Sequence, residues 1–371
     1  MTSNTTSPGI STPKGTPVPS GFQPDSASFV SAQTGFVLGL AQCQIDPVGG
    51  HFCLTIARTQ DGGKTWSSIP TPGADLVPAP TLNGSHNAVS RIKFTSVLDG
   101  YLYGPDLYAT HDGGKTWKKL IIQGIPTAYG VSSLESTRSN TFIILARPDT
   151  ALPGSDYLLS AIRNSDAFAI QKVPAVSTSA TPQISANESG LMFSTNRPTA
   201  DFYYRADAST EWTRIQATCP GAFPSNPAFA LATPRSGRST PQLVLGCGSN
   251  PGAGSEDKTV IQSSDLKTFT PAKAKPPLGG ILTGIASPDG QTIAVAAASG
   301  ATFLYVSLNR GASWQTVLSD PNFGGAPIHD LSFVTRSLGV AVIGHATAAN
   351  TKTSSALMTQ DRGLSWKEFA F

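Results

Sequence analysis

The chain has 371 residues, with 26 Lys and Arg against 23 Asp and Glu, for a formal charge of +3. That small excess contains no Lys/Arg run and no interleaving of basic with aromatic residues, which argues against a nucleic-acid partner. No apolar stretch approaches the roughly 18–20 residues that a membrane helix needs. Charged residues make up only 13%, the 36 Gly and 29 Pro are abundant, and no long segment has a helical period, so the chain reads as all-β.

Residues 1–24 are dominated by Thr, Ser and Pro and are expected to form a flexible tether, because they cannot bury enough apolar surface to offset the entropy of ordering. A Met before such a start fits a chain whose signal or lipoprotein leader has been removed, which places the protein in a secreted, periplasmic or cell-surface setting. An ordinary cytoplasmic tail is the competing reading. Residues 25–371 are expected to form a single domain, because repeated units run through them to the C-terminus.

The first element after the tether is a hairpin signature. Phe29 leads into a polar turn closed by Gly35, and Phe36 opens a second apolar strand. The pattern recurs at Phe94, Gly100 and Tyr101 and at Phe333, Gly339 and Val340, with a less defined copy over residues 280–290. Next come the cysteines. Four permit three pairings, and the sequence does not choose among them. The two local pairs are favoured, since Cys43 and Cys53 flank a hairpin-like excursion and Cys247, grouped with Cys219, ends a strand. Buried free thiols are the alternative, and the spacings lack the tight Cys-x-x-Cys form of a zinc site.

A second motif begins at Thr59-Gln60-Asp61-Gly62-Gly63-Lys64-Thr65-Trp66 and recurs at Thr110-His111-Asp112-Gly113-Gly114-Lys115-Thr116-Trp117. Weaker copies hold Asp207 and Trp212, Asp265 and Phe269, Asn309 and Trp314, and Asp361 and Trp366, with a faint unit near residues 164–168. All five tryptophans sit five residues after an Asp or Asn. Asp61 and Asp112 are 51 residues apart, Asn309 and Asp361 are 52 apart, and the 153 residues from Asp112 to Asp265 are three times 51. The count is seven, and a period of about 50 residues fits one four-stranded propeller blade. The reading is therefore a seven-bladed β-propeller of four-stranded antiparallel blades, with six or eight blades as the alternatives and the unit near Asp166 as the place of a miscount. Residues 366–371 are expected to be the last outer strand, unless residues 21–28 pair across the seam instead.

The motif has a structural explanation without a ligand. Asp accepts backbone N–H bonds within its own turn, Gly supplies positive φ, Thr or Ser adds a local acceptor, and the Trp packs against a neighbouring unit. These motifs resemble Asp-box repeats, also called BNR repeats, found in sialidases, sortilin-type receptors, some glycoside hydrolases and photosystem II assembly factors. Together with the hairpin signature, the pattern is most similar to that last group. The resemblance implies a β-propeller with each Asp box between the third and fourth strands of a blade, away from the usual ligand face. It also implies that enzymes and noncatalytic scaffolds are both open.

Sialidases imply an arginine triad, a Tyr nucleophile with a Glu partner, and an Asp acid/base. This chain has no Arg before Arg58, and Arg91-Ile92-Lys93, the string nearest to the family's Arg-Ile-Pro, lacks the Pro. Arg163, Arg205 and Arg214 cannot be assigned to a triad. For other hydrolases, Asp106, Asp149, Asp166, Asp201, Glu188 and Glu211 supply carboxylates without a diagnostic neighbourhood. The five histidines are scattered, and calcium on loop carbonyls and carboxylates stays open as a structural ion, with no other cofactor expected. No catalytic residue is nominated. Segments 70–87, 124–129, 174–183 and 217–227 break the repeat, and loops on a rigid scaffold are where recognition is built. Tyr101, Tyr103, Tyr108, Tyr129, Tyr203 and Tyr204 are read as blade packing before ligand contacts. The expected function is a noncatalytic extracytoplasmic binding or assembly scaffold with a protein partner, carbohydrate coming second; the alternative is an extracellular glycoside hydrolase.

Overall fold

The computed structural model describes residues 15–43, 51–77, 87–126, 128–146, 156–172, 183–195, 201–220, 228–233, 241–348 and 352–371. They form seven sheets of four consecutive antiparallel strands, arranged as a β-propeller, together with short accessory pairings. From innermost to outermost strand, blade 1 runs from Gln23–Phe29 to Ser67–Ile69, blade 2 from Arg91–Phe94 to Lys118–Lys119, and blade 3 from Gly130–Ser136 to Ala169–Ile170. Blade 4 runs from Gln183–Asn187 to Thr213–Ile215 and blade 5 from Ala228–Ala232 to Thr270–Pro271. Blade 6 runs from Ile281–Ala286 to Gln315–Asp320 and blade 7 from Ile328–Phe333 to Lys367–Glu368. The count of seven stands, and the faint unit at residues 164–168 is the third-to-fourth-strand turn of blade 3.

Burial follows strand position. The second strand of a blade is flanked by blades on both faces, and it reads as a continuous apolar run rather than an alternating one. Ile293–Ala298 and Gly339–Gly344 are buried at every residue, whereas the outermost Lys118–Lys119 and Lys367–Glu368 are exposed. The core is correspondingly divided into seven clusters, each spanning one interface between neighbouring blades. Between blades 1 and 2, Phe36, Leu38 and Ile56 meet Ile92, Phe94 and Leu102. Fully burying one such side chain contributes on the order of 1.5–3 kcal/mol.

The hairpin signature joins the first strand to the second. Phe29 pairs with Gly35, Phe94 with Gly100 and Phe333 with Gly339. In each pair the phenyl ring lies over the glycine, so a Cβ there would meet ring carbon at 2.4, 2.6 and 3.0 Å respectively. The recurring glycine is a packing requirement. Deep in blade 5, Lys258 is 1% exposed, and its ammonium donates to the carbonyls of Glu256, Leu278, Gly279 and Gly280 at 2.8–3.0 Å. Burial pulls this group down to about 8.

Among the described residues no strand crosses the seam between blades 7 and 1, since each of these blades is built from its own consecutive strands. Residues 23–29 form the inner strand of blade 1 and residues 367–368 the outer strand of blade 7. Closure rests on side chains. Val37 of blade 1 packs with Val340, Val342, Met358 and Phe369 of blade 7, and the rings of Phe22 and Phe371 meet edge to face at 4.6 Å. Within the segment read as a tether, Thr16–Pro17 pairs with Ser67–Ser68 as a fifth strand on blade 1, so ordered structure begins before residue 25. Residues 1–14 of that segment lie outside the described residues.

Candidate functional site

The third strand of each blade leads into the fourth through the Asp-box position, so these turns and the first-to-second-strand hairpins share one face of the ring. In blade 1, Asp61 Oδ1 accepts the backbone N–H groups of Lys64 and Thr65 at 3.1 and 2.9 Å and the Thr59 hydroxyl at 2.9 Å. Its Oδ2 accepts the Thr65 hydroxyl at 2.6 Å, and Thr59 Oγ1 accepts the Gly63 N–H at 2.9 Å. The Thr65 hydroxyl first, and then its N–H, hold the Asp61 carboxyl down at about 2. The same bonds recur at Asp112, and at Asp361 those from the Ser365 N–H and hydroxyl and the Thr359 hydroxyl recur. At those two, burial works upward and the hydrogen bonds, led by the Thr116 and Ser365 hydroxyls, hold the carboxyls below their usual value.

Weaker copies keep the turn with other residues. Gly62 and Gly113 have φ of 76° and 75°, and Leu266, Arg310 and Arg362 hold the same left-handed conformation at 60°, 61° and 67°, which costs an L-residue about 1–2 kcal/mol. Asn309 Oδ1 accepts the Ser313 N–H while its Nδ2 donates to the Ser313 hydroxyl, both at 2.9 Å. Asp265 accepts the N–H groups of Lys267 and Thr268, in a turn one residue shorter before Phe269. Asp207 differs from all of these. Its carboxylate leaves its own turn and accepts the Ser139 hydroxyl and N–H at 2.7 and 3.2 Å and the Thr137 hydroxyl, in the first hairpin of the preceding blade. The copy that lost its glycines joins blade 4 to blade 3.

Three tryptophans reach backwards in the same way. Trp117 Nε1 donates to Pro70 O of blade 1 and Trp314 Nε1 to Ala274 O after blade 5, both at 3.0 Å, while Trp66 packs 4.9 Å from Phe369 of blade 7. Trp366 bonds Gly363 O within its own turn, and Trp212 lies 5.3 Å beneath the Arg205 guanidinium. His111 spans two blades, with Nδ1 2.9 Å from Asp99 and Nε2 3.1 Å from Asp166. Its bond to Asp99 is the main cause that raises its pKa. The cysteines form the two local disulfides, Cys43–Cys53 in blade 1 and Cys219–Cys247 between the end of blade 4 and the second strand of blade 5.

The opposite face carries the blade-to-blade connections and the second-to-third-strand loops. Segments 70–87, 124–129, 174–183 and 217–227 are all blade-to-blade connections; within them, residues 78–86, 127, 174–182 and 221–227 lie outside the described residues. Where this face meets the axis and the seam, polar residues gather that no repeat motif had marked. Asp330 of blade 7 accepts the Ser26 hydroxyl at 2.7 Å and the Ala27 N–H at 2.9 Å from blade 1, and pairs with Arg91 of blade 2 at 3.4 Å. Burial works to raise this carboxyl, and Arg91, His329 and these hydrogen bonds outweigh it. Ser26 also accepts the Ile92 N–H at 3.2 Å, and Lys93 pairs with Glu135 of blade 3 at 2.7 Å.

Beside this chain lie Asp25, His329 and His345. His345 Nδ1 and the Ala346 N–H donate to Asp25 Oδ1 at 3.1 and 2.9 Å, His329 Nε2 donates to the Asp25 carbonyl at 2.6 Å, and the two imidazoles stack at 4.3 Å. Burial, ahead of the nearby Arg91 charge, lowers the His329 pKa, which favours the neutral ring. Asp25 and His329 both sit where the register of a first strand shifts, between Pro24 and Ser26 and between Ile328 and Asp330. Such bulges re-aim side chains. A repeat alignment on the hairpin phenylalanines carries the missing signal, since Ser26, Arg91 and Asp330 each stand three residues before one.

Among the described residues, those considered for hydrolysis do not converge. Asp106 is held by Asn87 N, Ala88 N and Lys119, Asp166 by His111 and Lys118, and Glu188 by Arg138 at the surface. Glu211 is exposed, while Asp149 and the Asp201 side chain lie outside the described residues. Arg163 donates to Thr95 O, and Arg205, 7% exposed, stacks on Phe142 and bonds Gln171. Tyr101, Tyr108, Tyr203 and Tyr204 are buried between blades, and Tyr129 packs edge to face on Tyr157 at 5.1 Å.

The family model for the BNR/Asp-box repeat matches residues 108–119. Among solved structures, YCF48 bound to a D1 peptide superimposes with a TM-score of 0.56 at 14% identity, over 92% of this chain and 95% of that one. The β-propeller domain of the Trilobed protease from Pyrococcus furiosus gives 0.56 at 10% identity, over 95% and 97%. A prolyl endopeptidase gives 0.56 at 11% identity, and this chain spans half of its length. A search of curated protein sequences finds no match. At these identities the likeness is one of fold. With the turn geometry above, it makes the chain a seven-bladed β-propeller built on Asp-box repeats.

Proposed function

We propose that the protein is a noncatalytic, extracytoplasmic scaffold that recognises a protein partner through the loops of the face opposite the Asp boxes. The segregation of the chain's irregularity carries this reading: all four segments that break the repeat are blade-to-blade connections, which in this topology belong to one face. The face of the Asp boxes is instead occupied by turns whose polar groups are used locally or between blades. Rigid blades with variable loops on one side suit recognition. YCF48, a protein of the same fold, binds a D1 peptide, so the architecture is compatible with a peptide or protein ligand. Two disulfides support an oxidising compartment.

The test uses the full chain immobilised in a native extract, with retained proteins quantified by mass spectrometry. Substitutions on the connection face, such as Ile121→Asp on a side chain that is 77% exposed, are expected to remove a specific partner, while Lys64→Glu and Lys115→Glu on the Asp-box face leave it bound. Turnover on a broad panel of glycans by the same preparation would sink the scaffold reading in favour of a glycoside hydrolase.

A further inference from the structure

We propose that Asp25, His329 and His345 form a zinc-class metal site that clasps blade 1 to blade 7. One ligand atom from each of the three residues lies within 4.8 Å of the others. Asp25 comes from the first strand of the ring, and the two histidines come from its last blade.

The hydrogen bonds around the cluster leave lone pairs without donors. Asp25 is 1% exposed, and its Oδ1 is taken by His345 and Ala346, but its Oδ2 is buried and has no partner among the described residues. His329 donates through Nε2 to a carbonyl, so in the neutral ring Nδ1 is an acceptor, and that atom too is buried without a partner among the described residues. An acceptor left unsatisfied in the interior carries the desolvation penalty of that group with nothing to offset it. Two in one cluster ask for a cation or for donors supplied from outside. His345 Nδ1 lies 3.1 Å from Asp25 Oδ1, close to the spacing of two ligands on one zinc, so the metal would take the place of the proton between them; the His345 side chain is 28% exposed.

The donor set selects the metal. Two imidazoles and one carboxylate suit zinc and its neighbours, whereas calcium and magnesium seek oxygen. Three protein ligands leave a fourth position, and the partial exposure of His345 opens the site to solvent. Zinc at about 2.0–2.1 Å from each donor brings the donors to about 3.4 Å of one another, so from the 4.8 Å limit the set closes by at most about 1.4 Å, which side-chain rotation within the set can supply. The charges agree: Arg91 is offset by Asp330, leaving Asp25 as the net anion.

The location gives the metal a task. With no strand shared between blades 7 and 1 among the described residues, a bond network that joins Asp25 to residues 304 and 320 positions away does what a shared strand would otherwise do. Both bulges place their extra residue toward this seam, and the tryptophan and phenylalanine packing between the same two blades lies toward the Asp-box side. A metal at Asp25 would fasten the other side.

The experiment titrates zinc chloride into the full chain after chelator treatment and dialysis, reading stoichiometry with a competing chromophoric chelator and stability by thermal melting. One zinc per chain is expected. At a hundredfold excess over Kd the stabilisation is about 2.7 kcal/mol, which for a chain of this length raises Tm by about 3–4 °C. His345→Gln, at a part-exposed position, is expected to fold and to lose at least tenfold in affinity, and His329→Gln to do the same. His111→Gln, on the other face, keeps the site. Hydrogen exchange should slow on zinc addition in Gln23–Phe29, in Ile328–Phe333 and at His345 and Ala346 alone. Absence of binding by the folded chain at 100 µM zinc overturns the proposal, on the order of the weakest affinity a structural site could use; so does equal binding by His345→Gln and His329→Gln.

Discussion

The pairing of phenylalanine with glycine in the hairpins makes a quantitative prediction at Gly100. A Cβ there would lie 2.6 Å from the Phe94 ring, closer than any real contact. The ring cannot retreat, because it is stacked on Phe36 at 3.5 Å with the planes 4° apart and is met edge-on by Trp117 at 6.1 Å. Phe94 and Phe36 are 3% and 0% exposed. Adding one methyl group to so closed a site forces off-rotamer side chains or a backbone shift, at about 1–3 kcal/mol. Unfolding entropy of about 2.1 cal/mol/K per residue amounts to roughly 0.75 kcal/mol/K for this chain, so Gly100→Ala should lower Tm by about 1.5–4 °C. Gly339→Ala should cost less, since its Cβ would lie 3.0 Å from Phe333, which is only partly buried. Gly300, with nothing within 4 Å of its Cβ position and no positive φ, is the control; alanine there should be neutral or stabilising by up to about 1 kcal/mol. Differential scanning calorimetry of the three variants decides the matter. A Gly100→Ala melt superimposed on the parent, or a Gly300→Ala loss of the same size, would refute the argument that ring contact requires the glycine.

Asp112→Ala should speed amide exchange at Lys115 and Thr116 within its own turn, whereas Asp207→Ala should speed it at Ser139, in the preceding blade; exchange confined to residues 207–212 in the second variant contradicts the reassigned role of that carboxylate. The turns should also respond to acid. Asp61 titrates at about 2 when folded, below its ordinary 3.8, so its contribution is complete above about pH 4 and fades as pH falls toward 2; Asp61→Asn should flatten that part of a stability–pH curve. His111 works in the other direction, because its folded pKa is raised. Its contribution is complete below the ordinary 6.5 and disappears as pH rises through the folded value, and His111→Gln should abolish that alkaline decline. Reducing the disulfides should destabilise the ring unequally. By chain entropy, the bridge with sequence separation 28, Cys219–Cys247, contributes about 3.6 kcal/mol and the bridge with separation 10, Cys43–Cys53, about 2.7. Paired Cys→Ser variants compared by thermal melting test that order.

Architecture was legible in the sequence because an Asp box makes its bonds within a few residues. Thr59, Asp61, Gly63 and Thr65 satisfy one another inside a seven-residue span, so the requirement is written locally and repeats with the blade. The hairpin glycines were legible for the same reason, each paired directly with a phenylalanine six residues earlier. Asp207 shows where that legibility ends. Its distance to Trp212 kept the mark of a repeat, but its partners lie 68 and 70 residues back, and no pattern of spacing within the unit says which way a carboxylate turns.

The seam is the extreme of the same effect. Asp25 meets His329 and His345 across 304 and 320 residues, a contact that exists only once the number of blades and the strand order at closure are both settled. Neither histidine belongs to a recurring motif, and Asp25 stands at the edge of a segment that composition assigns to a tether. Yet part of the signal was periodic. Aligned on Phe29, Phe94 and Phe333, the chain puts Ser26, Arg91 and Asp330 at one repeat position and Asp25 and His329 at the position before it. In a closed ring, equivalent positions on the first strands of adjacent blades are neighbours around the axis, and blades 7, 1 and 2 are adjacent. Residues that differ at a position where the framework stays constant are therefore brought together by the symmetry that makes the framework recognisable.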